Sequence, residues 1–308
     1  MEWIRTLQKA IDYVEEHLLE EIRFDDVAGQ LNLSPYEFHR AFSFLSGMTL
    51  NTYVRNRRLS LAGQELAKTD KKVVDIAMKY GFESQDGFTK AFMRFHGVAP
   101  KYAKTAGTQL VMFNPLSIKV SFEGGRKIDY RIEKTEKQRF LAITRTFPTE
   151  IIEETGNHDI SDFWDECYEQ NMVQALKPFG TEGRLYGLCA PLKENETFFE
   201  YGIGVLVNDE AADADAFARS KGYRYWETAP CTYVVFNCIG EDGECIGDAW
   251  ELFYKEFLPQ SGYESCVESD YEVYFDEGKD GLFCELWIPI KSKPLAPGAA
   301  NLLVSGRS

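Results

Sequence analysis

At 308 residues, of which 44% are hydrophobic, the chain is long enough to bury the cores of about two domains. No apolar run approaches the ~18 residues that cross a membrane, and the amphipathic, acid-containing N-terminus is unlike a signal peptide, so we expect a soluble, cytoplasmic protein without a membrane partner. Seven cysteines without a Cys-x-x-Cys pair, and only four histidines, predict reduced thiols, no metal site and no cofactor.

The net charge is unevenly distributed. The total of -15 argues against a polyanionic partner, yet residues 1–104 carry 15 Lys and Arg against 14 Asp and Glu, a net +1, so the other 204 residues carry -16. Two windows of the first part lack acids altogether, as a surface that contacts phosphates requires. The first, Phe38–Gln64, holds Arg40, Arg55, Arg57 and Arg58, and the second, Gly87–Phe122, holds Lys90, Arg94, Lys101 and Lys104.

The first predicted elements are helices. Apolar residues recur every three to four positions from Trp3 to Leu18, which predicts a helix with one buried face. A short helix over Asp25–Leu31 and a turn at Asn32–Leu33 follow. Ser34 as N-cap and Pro35 at the first helical position then begin a helix that runs to about Leu45.

Helical periodicity divides that last helix into two faces. The stripe predicted to be buried comprises Phe38, Ala41, Phe42 and Leu45. The predicted outer face comprises Tyr36, Glu37, His39, Arg40 and Ser43. An isolated helix would show such a face merely because it is solvated, but the acid-free windows and the duplication described next favour a binding role.

The stretch Ala77–Pro100 repeats this layout further along the chain. Ala28 corresponds to Ala77, and 50 positions separate each of the pairs Phe38 and Phe88, Phe42 and Phe92, and Gly47 and Gly97. A supporting helix over Val73–Tyr80, a Gly81-Phe82 turn and a second helix over Ser84–Phe95 complete the copy. The sequence therefore predicts a duplicated helix-turn-helix.

A longer helix, from about Leu50 to Lys68, joins the two copies. Its inner side is predicted to carry Tyr53, Val54, Arg58, Leu61, Ala62 and Leu66. At 1.5 Å per residue it spans on the order of 28 Å. A stiff spacer of that length suits two reader helices about one turn of DNA, ~34 Å, apart.

These anchors resemble the DNA-binding domain of the AraC family of bacterial transcription regulators. The resemblance covers about 100 residues and implies double-stranded DNA as partner, with RNA polymerase as a protein partner. The base-contacting residues it implies are Tyr36, His39 and Arg40 in the first copy and Gln85, Asp86, Thr89 and Lys90 in the second. The sequence departs from the family at Asp86, Gly87 and Ala103, and Asp86 could accept from cytosine or cap its helix.

Thr105–Asp129, with Pro115, Gly124 and Gly125, reads as a connector that holds at most one strand. A second duplication follows it. Its first half is predicted as strands Tyr130–Lys134 and Phe140–Phe147, a helix near Ser161–Leu176, and strands Leu185–Ala190 and Phe198–Val207. Its second half is predicted as strands Tyr223–Thr228 and Thr232–Ile239, a helix near Cys245–Leu258, and strands Asp270–Phe275 and Leu282–Ile290. Such halves form a sheet with helices on one face and a cleft between them.

The hypothesis of a ligand site rests on the predicted strand Cys284–Ile290, which reads CELWIPI. Alternation places Glu285 and Trp287 on one face and the aliphatic residues on the other. A carboxylate in so apolar a strand is costly unless it is paired or faces a cavity, and aromatic rings around it suit an organic cation. The alternative is an edge-strand Glu in water.

The layout, with DYEVYF and ELWIPI, resembles the GyrI-like effector-binding domain over about residues 128–291. That resemblance implies a lipophilic or cationic effector, as in multidrug sensing, in a pocket around Glu285 with Glu272 as a second acid. The candidate pocket aromatics are Trp164, Tyr201, Tyr233, Trp250, Tyr274 and Trp287. Each of these rings could instead belong to the core.

The expected protein is thus multidomain, an all-α tandem helix-turn-helix domain (1–106), a connector (107–128), an α+β domain of two β-β-α-β-β-type halves (129–291) and a tail (292–308). We expect a ligand-responsive transcription regulator that is a monomer or weak dimer and has no catalytic residues. Two alternatives stay open, a C-terminal hydrolase with Glu285 as base and a protein-interaction module.

Overall fold

The computed structural model describes residues 2–22, 24–29, 34–118, 127–149, 160–192, 198–207, 217–218, 222–275 and 281–293. The chain divides into two compact units, Met1–Gly124 and Gly125–Ser308. The predicted turn at Asn32–Leu33 and the tail after Pro294 lie outside the described residues.

The first unit is helical, as predicted. Its helices are α1 (Glu2–Glu16), α2 (Phe24–Gly29), α3 (Pro35–Ser46), α4 (Leu50–Lys68), α5 (Val73–Lys79) and α6 (Gln85–His96), followed by a 3-10 turn at Pro100–Tyr102. We call α3 and α6 the reader helices and α4 the linking helix. Among the described residues, no helix is long and apolar enough to cross a membrane.

Both reader helices begin and end in the way the sequence predicts. The Ser34 side chain accepts from the Glu37 amide and the Glu37 carboxylate accepts from the Ser34 amide, a capping box ahead of Pro35. On α6, Ser84 accepts from the Gly87 amide. Gly47 and Gly97 then end the two helices in the left-handed conformation that glycine adopts without strain.

Two apolar clusters form the core of the helical unit. One surrounds Phe38, Phe42 and Tyr53, and the other surrounds Phe88, Phe92 and Leu66. The linking helix contributes to both clusters, so each helix-turn-helix copy packs against one end of this helix.

Residues 108–118, which we call the strap, belong to this helical unit although the sequence predicted a connector there. They have no regular secondary structure, and the side chains of Leu110, Phe113, Leu116 and Ile118 pack on the helices. The strap amides of Phe113 and Leu116 donate to Ser60 Oγ (3.0 Å) and to the Tyr53 hydroxyl (3.1 Å) on the linking helix.

The second unit is built on an antiparallel sheet. Its strands are β1 (Arg131–Thr135), β2 (Gln138–Pro148), β3 (Arg184–Pro191), β4 (Phe198–Leu206), β5 (Arg224–Thr228), β6 (Cys231–Ile239), β7 (Tyr263–Ser265), β8 (Asp270–Phe275) and β9 (Leu282–Ser292). Its helices are α7 (Ile160–Glu169), α8 (Met172–Leu176), which a 3-10 turn, Lys177–Phe179, follows, and α9 (Glu244–Leu252). Helix α9 continues into a π-helical turn, Phe253–Phe257, and a last α-helical turn, Leu258–Gln260.

The strand order confirms the two-half layout. It runs β1-β6-β9-β8-β3-β4-β2-β5, with β7 paired to β9. Exchanging β1 with β5, β2 with β6, β3 with β8 and β4 with β9 reverses this order, so the halves are related by a pseudo-twofold axis between β3 and β8. The first strand of each half pairs with the other half's sheet, an exchange that sequence periodicity did not reveal.

The two faces of the sheet have different neighbours. Helix residues contact one face through the ring pairs Phe163–Phe147 (5.9 Å), Trp164–Tyr274 (5.2 Å) and Phe257–Phe236 (5.8 Å). We call it the helix-covered face. The other, which we call the opposite face, carries its own buried cluster of Phe140, Tyr186, Tyr233, Trp226 and Tyr271.

Candidate functional site

The second reader helix presents its predicted outer residues to solvent. Gln85, Asp86 and Lys90 are exposed and Thr89 is half-buried. Ser84 provides the cap, and Asp86 lies in the first turn, where a negative charge suits the positive end of the helix dipole. All four side chains therefore lie on one accessible face.

On the first reader helix, the predicted outer face is wrong at two residues. Tyr36 and His39 are buried, at 7% and 3% exposure, although both were expected outside. Arg40 covers Tyr36, because its Nη1 donates to the Tyr36 hydroxyl at 3.0 Å and its guanidinium lies 5.6 Å from the ring centroid. Burial lowers the pKa of His39 to about 4, so this imidazole is neutral at physiological pH.

Two arginines of the first acid-free window serve the fold rather than the surface. Arg57 is buried and bonds with Glu15 through Nε at 2.8 Å and with the Phe113 carbonyl. Arg58 donates to the Leu18 carbonyl at 2.7 Å, and its guanidinium lies so close to Gly81 that a Cβ there would overlap it. Arg55 is exposed and still suits a phosphate contact.

The eight ligand-site candidates do not form one cluster. Cross-strand partners share a face, and Glu285 and Trp287 pair with Val273 and Tyr271, on the opposite face. Glu272 and Tyr274 alternate with those partners and so project from the helix-covered face. The two acids of neighbouring strands thus point to opposite sides of the sheet.

Glu285 sits in an ion pair. Its Oε2 lies 2.5 Å from Nη2 of Arg131 and accepts from the Trp287 indole at 3.2 Å. The Trp287 ring stacks on Tyr271 (5.4 Å) and meets Tyr233 edge-on (5.9 Å). Arg131, 154 positions away in the chain, was not anticipated, because nothing local in the sequence marks that pair.

Glu272 lies in a chain of hydrogen bonds. Trp164 Nε1 donates to the Tyr201 hydroxyl at 3.0 Å, and that hydroxyl donates to Glu272 Oε2 at 2.7 Å. Tyr274 packs edge-on against Trp164 at 5.2 Å. Burial, and then the charge of Glu272, raises the pKa values of Tyr201 and Tyr274 far above that of free tyrosine. We call Glu272, Tyr201, Trp164 and Tyr274 the Glu272 cluster.

Gly187 makes room for this cluster. It pairs with Glu272 across the central strands, and a Cβ at Gly187 would overlap Glu272 Oε2 and the Tyr201 hydroxyl. A glycine within a strand commonly marks such a close approach, so Gly187 is the sequence signal that could have indicated this cluster.

Trp250 lies on α9, the counterpart of α7. It stacks on Tyr254 (5.7 Å, 25°), just as Trp164 stacks on Tyr168 (6.0 Å, 26°). Each half thus carries one stacked aromatic pair, a turn apart, on its helix. Trp250 is 3% exposed and also packs on Phe253, so it is a core residue of its half.

Comparison with known proteins matches both units. Residues 27–105 match a helix-turn-helix domain family, and residues 131–290 match the Cass2 family, described as integron-associated effector binding protein. Transcriptional regulator Rob of Salmonella typhimurium is 31% identical over 289 residues, which cover 91% of this chain and 96% of Rob. The chain belongs to the AraC family of transcription regulators. Its expected effector-binding domain is confirmed with it.

Other relatives of the regulator match about a third of the chain. YbfP of Bacillus subtilis is 37% identical over 105 residues, which are 34% of this chain and 36% of YbfP. SoxS of Escherichia coli is 36% identical over 90 residues, which are 29% of this chain and 84% of SoxS.

Among solved structures, SAV2435 bound to tetraphenylphosphonium matches the regulator with a TM-score of 0.44 and 20% identity, over 53% of this chain and 94% of that one. The DNA-binding domain of AdpA in complex with a target DNA matches with a TM-score of 0.31 and 26% identity, over 32% of this chain and 90% of that one.

Proposed function

We propose that this AraC-family regulator responds to a lipophilic organic cation bound at the Glu272 cluster. The observation that carries the proposal is the buried Glu272 carboxylate, which accepts from Tyr201 within an aromatic surround on the helix-covered face. A carboxylate among aromatic rings attracts a cation by its charge and by the ring quadrupoles, and both attractions strengthen away from water.

The position of the Glu272 cluster supports a switch. Glu272 and Gly187 are partners on β8 and β3, the strands where the two halves meet. Trp164 belongs to α7, so a ligand seated on this indole would contact a helix as well as the sheet. Movement of α7 against the sheet is thus a direct way for occupancy to change the shape of the domain.

Glu285 is the weaker candidate for the same role. Its charge is already compensated by Arg131, and a cationic ligand would have to displace that guanidinium. Glu285 Oε2 is already engaged by Arg131 and by the Trp287 indole, whereas the hydrolase alternative requires this carboxylate to bind and activate a water. We therefore propose a structural role for Glu285, which ties the edge strand β1 to the sheet.

Calorimetric titration with tetraphenylphosphonium tests this assignment, with the anion tetraphenylborate as a control of similar shape and opposite charge. We expect Glu272→Gln to weaken binding of the cation by about tenfold or more, from loss of roughly 1.4 kcal/mol or more of charge interaction. Glu285→Gln is the matched control and leaves affinity within about twofold. Equal loss in both variants, or equal binding of cation and anion, would reject the proposal.

For DNA, we propose that Arg40 reads bases from the first reader helix and that Gln85, Asp86, Thr89 and Lys90 do so from the second. Tyr36 then orients Arg40, and His39 packs the helix rather than reading DNA. The exposure of Gln85, Asp86 and Lys90, with Thr89 half-buried beside them, supports this division. Selection of binding sites from random DNA by the full chain, followed by footprinting, tests whether both readers contact the same duplex.

The same proposal includes a cytoplasmic location, RNA polymerase as a protein partner and a monomeric or weakly dimeric state. Two readers in one chain support the last point, since a tandem copy supplies the two half-site contacts that other helix-turn-helix proteins obtain by dimerising.

A further inference from the structure

The strap crosses the whole helical unit. Its Val111 amide donates to His96 Nδ1 at 3.1 Å at the end of α6, and its Ile118 amide donates to the Gln8 side chain at 2.8 Å on α1. Between these ends lie the Phe113 and Leu116 bonds to Ser60 and Tyr53 of the linking helix.

Side-chain packing follows the same path. Phe113, Leu116 and Ile118 pack on the first apolar cluster, and Leu110 packs on the second. Phe113 meets Tyr53 edge-on at 5.9 Å. The strap therefore contacts the apolar clusters of both helix-turn-helix copies.

His96 secures the strap to the second reader helix. Its Nε2 donates to the Leu59 carbonyl at 3.0 Å, so its Nδ1 is left as the acceptor for the Val111 amide. One buried imidazole thus joins α6, the linking helix and the strap.

We propose that the strap is a positioning element, which sets the spacing of the two reader helices and thereby the operator spacing that the regulator accepts. We extend this proposal to regulation, and the extension rests on the proposed ligand site. In it, the strap is the segment through which effector binding alters the position of the reader helices. Twelve residues, 119–130, separate Ile118 from Arg131, and Arg131 ties β1 to Glu285 in the effector domain.

DNA spacing tests the positioning role without any ligand. A site selected from random DNA by the wild-type full chain is altered by inserting one base pair between its two contacted segments, which rotates one segment by about 34° about the helix axis. We expect wild type to lose about tenfold or more in affinity on this insertion. Ser60→Ala/Gln8→Ala, which removes two strap acceptors, should lose less than about threefold.

Ser46→Ala is the matched control, because it removes a hydroxyl that bonds the Phe42 carbonyl and makes no strap contact in the described structure. It should keep the wild-type discrimination. Phe113→Ala, which removes the ring between strap and linking helix, should behave like the double variant. Wild-type discrimination in the double variant and in Phe113→Ala would overturn the positioning role.

Hydrogen exchange of residues 108–118 tests the regulatory extension. We expect saturating tetraphenylphosphonium to change the exchange rate of this segment by about tenfold in wild type but not in Glu272→Gln. Binding seen by calorimetry without a change in exchange would overturn the extension. Absence of binding would instead reject the proposed ligand site and leave the DNA-spacing result to decide the positioning role.

Discussion

The Tyr201 hydroxyl donates a 2.7 Å hydrogen bond to Glu272, and both groups are buried where the two halves of the sheet meet. A hydrogen bond to a buried carboxylate favours its charged form. This bond therefore holds the carboxyl group in place inside an aromatic cluster.

Tyr201→Phe should weaken tetraphenylphosphonium binding by about tenfold, since a hydrogen bond to a charged group contributes roughly 1.5–3 kcal/mol. Calorimetric titration measures this loss of affinity. Tyr233→Phe, which removes a buried hydroxyl from the opposite face, is the control and should bind like wild type. A similar defect in both variants would mean that general loss of stability, not the Glu272 bond, causes it.

Gly187→Ala should lose cation binding and destabilise the effector domain by about 1–3 kcal/mol, because the added methyl group would displace Glu272 and Tyr201. Thermal unfolding and calorimetry report the two effects. In Gly247→Ala a Cβ would meet nothing within 4 Å on α9, and that variant should be as stable as wild type or slightly more so. Retention of wild-type affinity in Gly187→Ala would show that the cluster tolerates rearrangement and is not the binding site.

Arg40→Ala should weaken binding to the selected site by about tenfold or more while reducing binding to random DNA less, as a base contact of 1–3 kcal/mol requires. Arg55→Ala is the comparison, since an exposed linking-helix arginine that contacts phosphate affects both DNAs alike and lowers the salt slope by about 1. Fluorescence anisotropy over a salt series measures both quantities. Equal losses on both DNAs for Arg40→Ala would make it a phosphate contact.

The ion pairs of Glu65 with Lys71 and Lys79 should make the stability of the second helix-turn-helix copy depend on pH. Hydrogen bonds from Lys71 and Lys79, helped by Tyr80, lower its pKa to about 2. The contribution of charged Glu65 to the free energy of unfolding is therefore complete above the ordinary carboxyl pKa near 4.5, and it is lost as pH falls towards 2. Glu65→Gln should destabilise the helical unit by about 1–2 kcal/mol at pH 7 and by progressively less on acidification, as measured by helical circular dichroism during denaturation. The exposed Glu83→Gln is the control, and a pH-independent difference for Glu65→Gln would contradict the assignment.

Most of the fold could be predicted because local pattern encodes it. The repeated Phe and Gly anchors, the Ser34 cap and the glycines that end α3 and α6 depend on residues within a few positions, and the strand alternation depends on neighbours two positions apart. The predicted helices and strands therefore lie within a few residues of the observed ones. Helix periodicity failed on α3, where Arg40 shields Tyr36, since periodicity cannot show which further groups cover a face.

By itself, the sequence determined that this protein pairs a duplicated helix-turn-helix with a two-half effector-binding sheet, because spacing and periodicity are properties of the chain alone. Tertiary structure decided which of the two acids lies beside a compensating charge. Alternation puts Glu272 and Glu285 on defined faces of their strands, but only folding brings Arg131 across 154 positions to neutralise one acid and α7 over the other. It also decided that the strap packs on the reader-helix unit, because bonds such as those of Phe113 with Ser60 and Ile118 with Gln8 join residues more than 50 positions apart.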